Sequence, residues 1–283
     1  MTKWRWVALH QMHGQPPRPP CRAGLSSKTD ASGYYSIMNV LLVYAHPEPA
    51  SFGAALRDRG LQALREAGHT VQVSDLYAMG FNPVAGGDDF TQRRFPGRLQ
   101  YDREQKHAHQ HQAFAADIQA EIDKLLWCEL LILQFPLWWF SVPAILKGWL
   151  DRVFANGVAY GPGRRLETGG LRGRTAMLAL TTGCFEGMTA PDGLLGDLNT
   201  ILWPLHFGTF AYAGLRVLPP FTAFAVQYGT AAQQQAMLDA YAQHLSTLDT
   251  RQPLFFHPQS DFGPDWRLRA DVQPATVAQR RLP

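Results

Sequence analysis

The sequence predicts an α/β fold, a three-layer sandwich built on a five-stranded parallel sheet. Short apolar runs such as NVLLVY and TAMLALT recur along the chain. Segments of helical periodicity separate them, the pattern of a sheet covered on both faces. A third observation is size: 283 residues with 46% hydrophobic content can bury a large core. Strands that alternate with helices run parallel, joined by right-handed crossovers.

The elements follow in order. Asn39 to Ala45 (NVLLVYA) is a buried first strand. A short loop leads to Ser51, a good N-cap, and the helix beyond it sets Phe52, Leu56, Ala63, Leu64 and Ala67 on roughly one face before stopping at Gly68. Thr70 to Leu76 is the second strand. Residues 77–103 are irregular and long enough to suspect a functional loop. One helix is expected from Glu104 to about Leu126, then a third strand from Leu130 to Phe135 that Pro136 ends. Pro143 suits the first turn of the next helix, whose Leu146, Leu150, Val153 and Phe154 would face the sheet. Thr175 to Thr181 is the fourth strand. A helical pattern from Asp197 to Phe210 precedes a fifth near Leu215 to Leu218. This arrangement is that of a flavodoxin-like sandwich over residues 38–251, with residues 252–283 as a tail packed on the domain or partly disordered.

Residues 134–154 (QFPLWWFSVPAILKGWLDRVF) are the most informative stretch. Leu137, Trp138, Trp139 and Phe140 fall at the C-terminal edge of the third strand, where ligands bind in open α/β sheets. Such a loop suits a flat, polar-edged ring system such as a flavin. Taken alone, it equally suits an aromatic plug at the end of the core. Loops 46–51, 136–142 and 182–190 all follow strand ends and converge on one edge. The first offers Ser51 at a helix N-terminus, a natural phosphate seat. The last offers Thr181, Thr182 and Gly183 as small donors.

Residues 1–37 carry Lys3, Arg5, Arg18, Arg22 and Lys28 against Asp30 alone, so they account for +4 of a chain whose total is +3. The remainder is near neutral, which removes the argument for a nucleic-acid surface. With four prolines in Pro16-Pro17-Arg18-Pro19-Pro20, this leader reads as a disordered extension before Met38 or a misassigned start. The most apolar window is broken by Gln134, Pro136, Pro143 and Lys147, against membrane insertion. Cys21, Cys128 and Cys184 are too scattered for a disulfide framework or zinc site, and point to the cytoplasm. His107, His109 and His111 lack an H-E-x-x-H pattern, and no metal is expected.

Several stretches together resemble the NAD(P)H:quinone oxidoreductase family: VYAHPEPASF, SDLYAMGFNP, residues 134–154, LTTG and GDLNTILWPL. They span residues 39 to about 220; PLFFHP in the tail matches loosely. The resemblance implies a flavin cofactor, FAD or alternatively FMN, with NAD(P)H as co-substrate. It implies flavin contacts at His46, Ser51, Phe52, Gln100, Pro136, Leu137, Trp138, Trp139, Phe140, Thr181, Thr182, Gly183 and Cys184. Trp139 and Phe140 would also line the reaction slot. Tyr160 and Tyr212 would complete it from the partner subunit of a homodimer.

The implied mechanism is ping-pong: hydride passes from NAD(P)H to the flavin, then to a quinone or related aromatic in the same slot. N–H groups of the Thr182–Cys184 loop would stabilise charge at the flavin's polar edge. Four positions depart from the family. A tyrosine and a histidine are replaced by Thr189 and Leu195, a second partner-subunit tyrosine by Pro162, and an arginine near the adenine end by Gln234. The competing readings are a regulatory flavoprotein subunit of a potassium-efflux system and a flavodoxin-type electron carrier. HPEPASF in place of a Ser/Thr-rich phosphate loop speaks against the last.

Overall fold

The apolar runs pair edge to edge in register. In the computed structural model, which describes residues 37–276 and 279, β1 (Asn39–Tyr44), β2 (Thr70–Asp75), β3 (Leu130–Pro136) and β4 (Thr175–Thr181) lie parallel in the order β2-β1-β3-β4. Nearly all of the expected leader, residues 1–36, lies outside the described residues. The order reverses between β1 and β3, so the crevice at their C-terminal ends is the switch point where such sheets bind ligands.

The fifth position holds two short strands rather than one. β5 (Arg216–Val217) pairs with Thr175–Ala176, and β6 (Phe221–Ala223) pairs with Ala179–Thr181. Pro219 and Pro220 stand between them and have no N–H to give a ladder. The expected fifth strand is thus a broken one, and among the described residues the sheet has six strands in five places.

Side chains alternate across the sheet into two cores. Leu41, Val43, Leu131 and Leu133 pack with Ile118, Ile122, Leu146 and Trp149. Val40, Leu42, Tyr44 and Ile132 pack with Leu56, Leu64, Tyr241 and Leu245. The first core is covered by α3 (Ala116–Trp127) and α4 (Ala144–Val153), the second by α1 (Phe52–Glu66) and α7 (Ala231–Ser246). At Gly60 a Cβ would fall 2.6 Å from the Tyr241 ring, so glycine lets α1 and α7 close together.

The single helix expected from Glu104 to Leu126 is two helices, α2 (Tyr101–His111) and α3. Gln112 takes a left-handed conformation (φ 54°) between them. Residues 113–115 instead bond the long loop: Thr91 N–H donates to Ala113 O and Ala115 N–H to Asp89 O, both at 2.8 Å. Phe114 packs on Phe90. Tertiary pairing thus overrides helix continuity. The pattern from Asp197 to Phe210 becomes α5 (Leu198–Ile201), α6 (Trp203–Leu205) and a π-helix, His206–Ala211.

Helix α7 was unforeseen, although Thr230 and Gln233 form a reciprocal capping box at its start. The tail crosses the β5 edge. Leu254 N–H donates to Val217 O at 2.8 Å, and Phe256 packs against Trp203 and Phe207. Among the described residues, no helix is long and apolar enough to cross a membrane.

Candidate active site

Three loops meet above the switch point. In the first, β1 delivers His46, whose Nδ1 accepts the Glu48 N–H at 3.0 Å. The ring proton therefore sits on Nε2, which is free to donate. Ser51 caps α1: its Oγ accepts the Ala54 N–H at 3.1 Å and lies 3.4 Å from the Tyr44 hydroxyl. The first-turn N–H groups of Phe52 and Gly53 are left without intrahelical acceptors, as at any helix start. Beneath them, Gln134 Nε2 donates to Gly53 O at 2.8 Å, and Gln134 Oε1 is buried with no protein partner.

The second loop is a tight turn. Trp138 and Ser141 exchange two backbone hydrogen bonds, each 3.0 Å, around Trp139 and Phe140, whose φ angles are +50° and +58°. Positive φ at both central positions is the type I′ geometry that normally takes Asn-Gly. A side chain there costs about 1–2 kcal/mol per residue. The bulky pair is not bought back by burial, since Trp139 is 95% exposed and Phe140 48%. The exposed aromatics are therefore no core plug, and their strain is not offset by packing. Trp138 stands 6.3 Å, centroid to centroid, from the His46 ring, which joins the first loop to the second.

The third loop is tied to the second by Leu137 N–H, which donates to Thr181 O at 2.8 Å. Its donor set is smaller than expected. Thr182 N–H is spent on Ala223 O at 3.0 Å, and Cys184 N–H on its neighbour's hydroxyl, Thr182 Oγ1, at 3.1 Å. Of the three N–H groups from Thr182 to Cys184, that of Gly183 has no hydrogen bond among the described residues. Thr181 and Thr182 are buried; Cys184 is half-buried. A Cβ on Gly183 would meet the Gln227 amide at 3.0 Å, so Gln227 borders this position. Gln227 was not foreseen; it follows a strand too short to announce itself.

Gln100 lies apart, as the N-cap of α2 with no capping bond from its side chain. Tyr160 and Tyr212 form a pair of their own, with ring centroids 6.3 Å apart. Burial raises the Tyr160 pKa, and the nearby charge of Asp102, on the first turn of α2, raises it further. Among the described residues, no hydrogen bond or ring contact joins this pair to the three loops. Of the departures noted in the sequence, Thr189 is buried and its hydroxyl donates to Glu186 O at 3.1 Å. Gln234 Nε2 donates to Val226 O at 2.9 Å. Among the described residues, no three His, Cys, Asp or Glu side chains group as metal ligands.

A helix start with unbonded N–H groups, a strained aromatic turn and an unbonded N–H at Gly183, all at one switch point, fit a flavin in donor chemistry. Residues 38–245 match the family described as having the flavodoxin-like fold. The chain is 40% identical over 220 residues to the mouse ribosyldihydronicotinamide dehydrogenase [quinone], covering 77% of this chain and 95% of that one. The chain belongs to the flavodoxin-like NAD(P)H:quinone oxidoreductase family. NAD(P)H dehydrogenase [quinone] 1 of the guinea pig Cavia porcellus is 37% identical over 228 residues, 80% of this chain and 83% of that one. A crystal structure of a putative quinone reductase from Klebsiella pneumoniae superposes with a TM-score of 0.81 at 39% identity. It covers 86% of this chain and 98% of that chain.

Proposed function

We infer that this chain is a flavin-dependent oxidoreductase that takes hydride from NAD(P)H and delivers it to a quinone or related electron-poor aromatic. The observation that carries this reading is the turn at Trp139 and Phe140, two bulky rings held at positive φ and left open to solvent. Family membership supports the same chemistry.

A bound flavin, FAD or FMN, supplies the hydride acceptor and donor; the protein supplies position and field. His46 Nε2–H and the N–H groups of Phe52 and Gly53 suit its phosphate, held at the start of α1. Trp138, Trp139 and Phe140 offer a flat wall for the ring. Gly183 N–H is the donor for charge at the ring's polar edge. A pre-aimed donor of this kind is worth about 3 kcal/mol in oxyanion holes. Thr182 contributes by geometry instead, since its N–H is spent on β6 and its hydroxyl holds Cys184.

In this reading one slot serves both NAD(P)H and acceptor, so turnover is ping-pong. A second copy of the chain closes the slot, bringing its Tyr160 and Tyr212 over the open aromatic face. That the pair makes no hydrogen bond or ring contact with those loops of its own chain, among the described residues, fits that role. Water excluded in this way fixes the hydride distance. The free thiols at Cys128 and Cys184 suit a reducing compartment such as the cytoplasm.

The test is the absorption spectrum of the purified protein, before and after anaerobic addition of NADPH. Flavin bands that bleach with NADPH and return with a quinone are expected. Protein without these bands after reconstitution with FAD or FMN would refute the reading.

A further inference from the structure

Arg164 and Arg165 are consecutive cations, and among the described residues neither has a carboxylate partner. Arg164 donates to two carbonyls, Gly157 O at 2.8 Å and Val158 O at 3.4 Å. The half-buried Arg165 side chain makes no hydrogen bond among the described residues, and its Nε is shut from water without an acceptor. Its Cζ instead lies 4.8 Å from the centroid of the Trp266 ring, within cation–π reach. The N–H groups on its terminal nitrogens are left without an acceptor.

Trp266 is held by the tail rather than by burial. It is 63% exposed and adopts φ +62°, a conformation disfavoured for any residue with a side chain. Its N–H donates to Gly263 O at 3.0 Å, and Arg269 N–H donates to Asp261 O at 2.9 Å, which closes a small hairpin. Glu167 moors the tail beside Arg165, its Oε1 accepting the Gln259 N–H at 2.8 Å. Asp265 Oδ1 accepts the Arg267 N–H at 3.2 Å. Arg165 also stands next to the Tyr160–Tyr212 pair along the chain. Gly161 and Arg164 exchange two backbone hydrogen bonds directly after Tyr160, and Leu166 N–H donates to Tyr212 O at 2.8 Å.

We propose that Arg165, stacked on Trp266, is a specificity-determining residue that binds a negatively charged oxygen group on the molecule in the slot. A guanidinium presents a planar fork that matches a carboxylate, sulfonate or phosphate. Stacking on the indole holds its plane and leaves the donors at its edge for the anion. Trp266 is the positioning residue. This assignment rests on the function proposed above and on the place of the tyrosine pair at the slot. The oxyanion has two sources, an acidic substituent on the quinone or the phosphates of NADPH.

The test uses full-length wild type, Arg165→Met, Arg165→Lys and Trp266→Ala, and reads kcat/KM for two pairs of substrates. The acceptor pair is ortho-naphthoquinone with and without a ring sulfonate. The donor pair is NADPH and dihydronicotinamide riboside, which lacks phosphate. A loss of stability alone lowers both members of a pair and leaves their ratio unchanged. In Arg165→Met the charged-to-neutral ratio should fall about tenfold, and Trp266→Ala should lower it in the same pair. Arg165→Lys should retain part of it, since the charge stays and the fork is lost. A fall in the acceptor pair assigns the anion to the quinone, and a fall in the donor pair assigns it to NADPH. Falls in both assign it to each in turn, as one shared slot allows. Wild-type ratios in both pairs for Arg165→Met would overturn the proposal while leaving the function intact. A wild type that reduces neither quinone with either donor would overturn both.

Discussion

Arg152 and Asp89 form an ion pair almost wholly shut from water: Nη2 lies 2.9 Å from Oδ1, and the side chains are 3% and 4% exposed. The same guanidinium donates to Asn82 O at 2.6 Å and to Asp117 at 3.2 Å, while the Tyr101 hydroxyl donates to the other Asp89 oxygen. One cation on α4 thereby fixes two points of the long loop, the start of α3 and, through Tyr101, the start of α2 beside Gln100.

Removing one member of such a pair strands the other. Arg152→Ala should therefore lower the free energy of unfolding by about 3–5 kcal/mol, read from urea denaturation. Arg152→Lys should recover only part of it, because a single ammonium cannot reproduce the guanidinium fork. An Arg152→Ala protein as stable as wild type would show the network to be ornamental.

Trp139 and Leu146 should separate binding from stability. Leu146 is fully buried, and its truncation to alanine should cost about 2–5 kcal/mol of stability. Trp139→Gly removes an exposed ring and relieves a left-handed residue, so stability should hold or rise by about 1 kcal/mol. Flavin affinity or turnover should nevertheless fall further in Trp139→Gly than in Leu146→Ala. Wild-type flavin binding and kinetics in Trp139→Gly would remove the platform role.

His206 should make stability depend on pH. Burial pushes its pKa down to about 4, against about 6.5 in the unfolded chain. Between these values the unfolded chain holds a proton that the folded chain refuses. The contribution is therefore complete above pH 6.5 and is lost as pH falls toward 4, by about 3 kcal/mol. Urea midpoints measured from pH 7 to 4.5 should fall less steeply in His206→Gln than in wild type; parallel curves would contradict the assignment.

Tyr160→Ala should slow flavin reduction by NAD(P)H while leaving flavin content nearly intact. The ring is half-buried and, among the described residues, makes no hydrogen bond or ring contact with the three loops of its own chain, so its effect is expected through a second copy. Stopped-flow reduction and sedimentation check both parts. A fully active monomer at assay concentration would refute the interface.

The parts legible in the sequence were those set by local pattern. Apolar runs gave four strands within a residue or so of their ends, and Ser51 announced the start of α1. What was missed depended on distant partners. The gap between α2 and α3 exists because residues 113–115 bond Asp89 and Thr91 across the long loop. At the third loop, the Thr182 N–H was counted as available because β6, which takes it, could not be foreseen beyond two prolines. The turn at Trp139 was readable as a loop but not as a strained one. Trp and Phe give no signal for positive φ; the conformation comes from the Trp138–Ser141 bonds that close it. Helix α7 is a different case, because the Thr230–Gln233 spacing was there to be read.

The broken fifth strand also governs how this molecule meets its neighbours in a crowded solution. A continuous outer strand would present a row of unpaired amides, a template on which a foreign chain can add. Here Pro219 and Pro220 interrupt the row, and Leu254 already occupies the Val217 carbonyl. The tail acts as a built-in guard against edge-to-edge aggregation, so trimming the chain before Leu254 would bare this edge and also strip Leu254 and Phe256 from the core they pack against, lowering solubility and stability together.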